Sequence, residues 1–174
     1  GDINTGTLTS TGDVSINAAG GNVILGQVTA SGETATIYVQ ASGSITEDSD
    51  PTADLDAGGL ITLSAGSGLG TSSNRLDIAA GDRLSATSTD GSIYLHGLGA
   101  LTVQEATANS GTADILSDGT LTATTINTQS ANLQASSGGI AATTINATNG
   151  ATLLATAGDI NTGTLTSTGD VSIN

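Results

Sequence analysis

The sequence predicts an all-β chain wound as a right-handed parallel β-helix, a β-solenoid with three short strands per coil and about seven coils in each 157-residue unit. The first observation is internal similarity. Ala113–Thr168 reads as three successive versions of one pattern, with aliphatics at Ile115, Leu121 and Ile126, then Leu133, Ile140 and Ile145, then Leu153, Ile160 and Leu165. The second is local: each aliphatic sits in a short alternation of apolar and small polar residues, the period-2 mark of a strand. The third is size. A unit this short cannot bury its own apolar face and has to stack on the units before and after it.

The pattern extends through the chain as three aliphatic columns. Column one is Val14, Ile37, Ile61, Leu84, Ile115, Leu133, Leu153 and Val171. Column two is Ile3, Val23, Ile45, Leu69, Ile93, Leu121, Ile140 and Ile160; column three is Leu8, Val28, Leu55, Leu76, Leu101, Ile126, Ile145 and Leu165. Between Val39 and Leu101 two assignments stay open, Ile61 or Leu63 and Leu76 or Ile78. Each column spans 157 residues, and residues 1–17 recur unchanged at 158–174. Residues 1–157 therefore read as one complete tandem unit and 158–174 as the start of the next identical one. With turns ~4.8 Å apart, seven coils advance roughly 34 Å. The right hand follows from the crossover rule for parallel strands.

In order, Gly1–Asn17 supplies strands at Ile3, Leu8 and Val14–Ile16, separated by Gly-containing corners where positive φ or close backbone approach is needed. Ala18–Ser31 and Glu33–Thr46 repeat the scheme, with Gly20-Gly21 and Gly43 at the corners. Glu47–Asp56 interrupts it with a longer turn that holds five of the chain's sixteen carboxylates. Strand-like alternation returns at Leu60–Ala65, Leu76–Ala79, Leu84–Ala86, Ile93–Leu95 and Leu101–Val103. A second extended turn at Glu105–Thr112 precedes the regular coils.

Composition narrows the function. The chain has no Phe, Trp, Met or Cys, and only two Tyr. Such a polar, low-complexity chain is the usual signature of disorder, but disorder does not hold three columns in phase. The net charge is −14, with Arg75 and Arg83 as the only basic residues. No face can offer phosphates a cationic surface, so nucleic acid is excluded as a partner, and anionic lipid with it. No apolar run is long enough to insert in a membrane. Acidic turns instead keep long β-structures soluble and prevent lateral pairing. A lack of cysteine suits passage through an oxidising compartment.

The repeated Gly-Asp-Ile-Asn-Thr-Gly-Thr-Leu, together with Ala-Gly-Ser-Gly-Leu-Gly-Thr-Ser-Ser-Asn-Arg-Leu (65–76) and Gly-Ser-Ile-Tyr-Leu-His-Gly-Leu-Gly-Ala-Leu-Thr-Val (91–103), resembles the repeats of filamentous-haemagglutinin-type giant adhesins. The resemblance covers essentially the whole chain. It implies an extracellular parallel β-helix exported by two-partner secretion, displayed at the cell surface, and serving as an adhesive stalk or fibre toward a host or neighbouring cell. Neither the secretion domain nor a receptor-binding module of that family lies within these residues.

Candidate sites are few. In the acidic turn, Asp48, Asp50, Asp54 and Asp56 are the candidate ligands for Ca²⁺, which takes six to eight oxygens; the spacing is not that of an EF-hand, and a solvated loop explains it as well. Asp54/Asp56 or Asp77/Asp82 are the carboxylate pairs available for glycoside cleavage, but no Trp or Phe platform accompanies them, and the chain reads as a non-enzyme. His96, the sole histidine, reads as a turn residue at the solvent edge, and Arg75–Asp77 and Arg83–Asp82 as weak surface pairs. Thr125, Thr144, Thr164 and Thr7 flank column three; such a rank suits an ice-binding surface and also satisfies strand propensity alone. Asn127 and Asn146 stand one coil apart and predict a side-chain amide ladder. The resulting expectation is a structural rod that binds identical units end to end, either within one long chain or as a self-assembling filament subunit.

Overall fold

The computed structural model describes residues 1–49, 51–79 and 81–174. Every strand belongs to one parallel sheet that winds around a single axis in about eight turns, and there is no helix among the described residues. After β1 (Ile3–Asn4) and β2 (Leu8–Ser10) come three turns of three strands each. These are β3 (Val14–Ala18), β4 (Val23–Leu25) and β5 (Val28–Ala30); β6 (Ile37–Ala41), β7 (Ser44–Glu47) and β8 (Leu55–Ala57); and β9 (Leu60–Ala65), β10 (Gly68–Leu69) and β11 (Leu76–Ile78). The next turn has only β12 (Arg83–Ser88) and β13 (Ile93–Gly97).

From Leu101 onward the strands run through their corners: β14 (Leu101–Ser117), β15 (Leu121–Ala135) and β16 (Ile140–Ala155), followed by β17 (Ile160–Ser167) and β18 (Asp170–Ile173). The predicted three short strands per coil thus hold for the early turns and merge later. Turn length explains the change. In the late region the steps Leu101–Leu121–Ile140–Ile160 are nearly equal, so corner residues sit over corner residues and the ladder continues around the bend. Earlier turns are longer and carry insertions, which break it.

Alternation converts directly into packing. In β3, Val14, Ile16 and Ala18 are buried while Ser15 and Asn17 are exposed. The inward side chains form one continuous core from Val14 to Leu153. Which aliphatic stacks on which departs from expectation in the middle. Column one holds through Leu84 and then continues to Val103, Ala123 and Ala142. Ile115 instead lies between Leu95 and Leu133, in a stack that begins at Leu76.

Column two holds through Ile93 and then passes to Ala113, Ala131, Ala151 and Val171. Column three takes Ile78, rather than Leu76, under Leu55. Two causes combine. β13 pairs with both β10 and β11, so one strand replaces two and a new stack opens. Below it, alanines fill inward positions that a search for large aliphatics passes over.

Residues 1–17 and 158–174 share a sequence but not a place. Thr5-Gly6-Thr7 is a corner with Gly6 at φ 53°, whereas Gly163 lies inside β17 without a positive φ. Leu8 stacks on Val28, but Leu165 stacks on Ile145, in a different column. Val14 heads the Ile37 column, while Val171 lies on Ala151. The column of Ile3 returns at Val171 after eight steps, eleven residues past Ile160, so the 157-residue period is not a whole number of turns.

Glycine is required where turns approach most closely. A Cβ on Gly91 would lie 1.6 Å from the Ser67 carbonyl oxygen, while one on Gly12 would meet nothing within 4 Å. Gly91→Ala is expected to lower the unfolding free energy by about 2 kcal/mol or more, and Gly12→Ala to change it by less than about 0.5 kcal/mol. Urea unfolding followed by circular dichroism measures both.

Candidate functional site

Three places gather chemistry. The first is the acidic turn. Glu47 ends β7 in register with Leu25 and is therefore turned inward. Asp54 precedes β8 and is also buried; its Oδ2 accepts the Asp77 N–H at 2.6 Å. Asp48 is exposed beside them, and carboxylate oxygens of Glu47, Asp48 and Asp54 lie within 4.8 Å of one another. The corner that carries Asp48 is tight: Ser49 has φ 74°, and its N–H donates to Glu47 Oε2.

Of the four sequence-nominated ligands, then, Asp48 and Asp54 converge. Asp56 stands apart because Leu55 points inward and its neighbour must point out. Asp50 lies outside the described residues. Glu47 was missed, although the period-2 step from Ile45 already places it on the inward side. The donor set is of the hard-oxygen kind, three carboxylates on two strand ends and the corner between them.

The second place is a polar cluster on the outer side of β11, β13 and β14. Because Leu76, Leu95 and Ile115 stack inward, Asp77 and His96 project outward in register, as do Tyr94 and Asp114. The Arg75 guanidinium carbon lies 5.9 Å from the Tyr94 ring centroid, and Nη2 reaches Asp114 Oδ2 at 2.8 Å. Asp114 also accepts from Asn132 Nδ2 at 2.9 Å. His96 Nδ1 lies 2.9 Å from Asp77 Oδ1, and Nε2 lies 3.2 Å from Asp118 Oδ1. His96 is thus a strand residue clamped between carboxylates of neighbouring turns, not a turn residue at the solvent edge.

The expected Arg75–Asp77 pair is replaced by one that reaches across two turns, to Asp114. Asp82 likewise turns inward, away from Arg83, and accepts the Ala57 N–H at 3.0 Å. Members of the two proposed carboxylate dyads meet other groups. Asp54 bonds the backbone of Asp77, Asp77 faces His96, and Asp56 acts on Asp82. Sequence spacing could not find these partners, because each lies about one turn away.

The third place is the outer face of the longest strands. Thr125, Thr144 and Thr164 stack as expected, and Asn146 Nδ2 donates to Asn127 Oδ1 at 2.9 Å. Thr7, their counterpart in the repeated segment, lies at a different corner. The Thr rank instead runs back through Glu105, Ser85, Thr62 and Tyr38 to Ser15. A parallel rank two residues on runs from Asn17 through Gln40, Ser64, Thr87, Thr107, Asn127 and Asn146 to Thr166. Compared with protein-family models, curated proteins and solved structures, the chain gives no match in any of the three.

Burial pushes the Asp82 carboxyl up to about 6; the Ala57 N–H pulls it down and the Asp56 charge pushes it up again. Folded Asp82 therefore keeps its proton well above the ordinary 3.8. Its contribution to stability is complete below about pH 4 and is lost as the pH rises through about 6. Asp82→Asn keeps an acceptor for Ala57 and removes the buried charge. The variant should exceed the parent in stability by about 1–2 kcal/mol at pH 7.5, with the difference vanishing toward pH 4. Thermal melts across that range check it.

Proposed function

We propose that the chain is a rod segment of an extracellular bacterial giant adhesin or surface fibre of the filamentous-haemagglutinin type, with a mechanical, non-catalytic role. The observation that carries this is the continuous stack: every interior turn hydrogen-bonds to the turn above and the turn below, around one core. Such a stack lengthens without changing its cross-section and leaves few backbone groups open to proteases. The neighbours in this reading are identical units end to end, and the surface displayed is that of the cell, facing a host or another cell.

The test is growth in one dimension. By small-angle scattering, a chain carrying a second 157-residue unit should be longer by roughly 35 Å at constant cross-section; a thicker, more compact particle would contradict the rod. Antibody labelling of intact cells tests display, and protection from added protease would overturn an extracellular location. The denatured mass of the fibre separates one long chain from assembled subunits.

A further inference from the structure

The two outward ranks that run from Ser15 to Thr164 and from Asn17 to Thr166 are unlike the rest of the surface. They span all the turns, and every member but one carries a hydroxyl or a carboxamide. Glu105 is the exception, although the chain holds sixteen carboxylates. Beside the ranks Arg83 projects outward from β12, two residues before Ser85, while Arg75, Asp77, His96 and Asp114 gather on another side of the rod.

The ranks are also rigid. In each turn the residue between them points into the core, as Ile16, Leu63, Ile126 and Ile145 do. Parallel pairing fixes neighbours ~4.8 Å apart along the axis and, at two residues' separation, roughly 6.7 Å apart along the strand. In the later turns the order is highest: Thr125-Ile-Asn127, Thr144-Ile-Asn146 and Thr164-Leu-Thr166 lie directly over one another, and the amide bond between Asn127 and Asn146 locks both side chains.

We propose that this face binds ice. Ice is an extended, uncharged hydrogen-bonded lattice, and a surface that matches it has to be flat, repetitive, hydroxyl-rich and free of ions that hold their own hydration. Apart from Glu105 within them, Arg83 beside them and the open pocket that Asn127 and Asn146 line, the two ranks meet these requirements along the rod, with waters bridging hydroxyl and amide groups at fixed spacing. A crystalline polysaccharide offers a related surface, but sugar rings seek aromatic platforms, and Tyr38 is the only aromatic in the ranks. A second copy of the rod is also a poor occupant. Two ranks wide and seven steps long, the strip covers roughly 230 Å² by its strand spacings, far below the ~800 Å² per partner of a stable interface. Ice contact has no such limit, because it extends with every added turn. The inference is independent of export and adhesion.

The test is thermal hysteresis and ice-crystal shape in solutions of this chain. The chain should shape crystals into facets and hold a measurable gap between melting and freezing. Glu105→Thr, which removes the one charge, should widen the gap about twofold. Thr144→Lys should reduce it to the buffer level, and Thr152→Lys, on the other side of the rod, should leave it unchanged, with circular dichroism confirming the fold of each. Round, unshaped crystals, or a gap that survives Thr144→Lys or shrinks in Glu105→Thr, would overturn the proposal. Retention on insoluble cellulose or chitin without ice shaping would overturn it equally and assign the face to glycan.

Discussion

Backbone hydrogen bonding between successive turns is the constraint from which the rest of this molecule follows. In a parallel ladder each interior turn both donates to and accepts from the turns on either side, so no turn is complete alone. The inward side chains then have no choice of partner: Ile, Leu, Val and Ala of one turn lie on those of the next, and the core becomes an axial column. This explains why a chain without Phe, Trp or Met can fold. A solenoid core is thin, and stacked aliphatics fill it.

Corners are where the ladder fails and side chains replace it. Asp2 Oδ1 accepts the Asn22 N–H at 2.7 Å, and Asp13 Oδ1 accepts the Thr36 N–H at 2.8 Å, which holds the Asp13 carboxyl below its usual range. Asp54 and Asp82 do the same for Asp77 and Ala57. Between β14 and β15 the corner shortens from Asn109–Gly111 to Gln129 alone, and a cavity of about 230 Å³ opens beside it. Thr128 closes the polar gap underneath by donating to the Gly111 carbonyl and accepting from the Ala113 N–H. Buried polar groups are costly only when left unpaired, and here Asp2, Asp13, Asp54, Asp82 and Thr128 each have a backbone group to meet. The acidity of the chain is therefore partly structural.

The fold class was legible because period-2 alternation and repeated aliphatics are properties of the backbone pattern itself. Glu47 was legible in principle from the same alternation. The column assignments past Leu84 were not, because corner lengths decide them, and a corner's length is set by how the turn above it ends. The partners of Asp82, His96 and Arg75 were hidden for a related reason: each lies 19 to 39 residues away in sequence and one or two turns away in space. The repeated segment carries the sharpest lesson. Gly6 bends and Gly163 runs straight because the neighbouring turn, residues 23–30 for one and 140–147 for the other, dictates the register, and the local sequence does not.

Register is thus the quantity on which the account stands, and it can be measured directly by interstrand amide and Hα NOEs in the isotopically labelled chain. The account predicts cross-peaks that place Leu84 beside Val103 and Ile115 beside Leu95. Cross-peaks joining Leu84 to Ile115, or antiparallel Hα–Hα contacts between neighbouring strands, would contradict it.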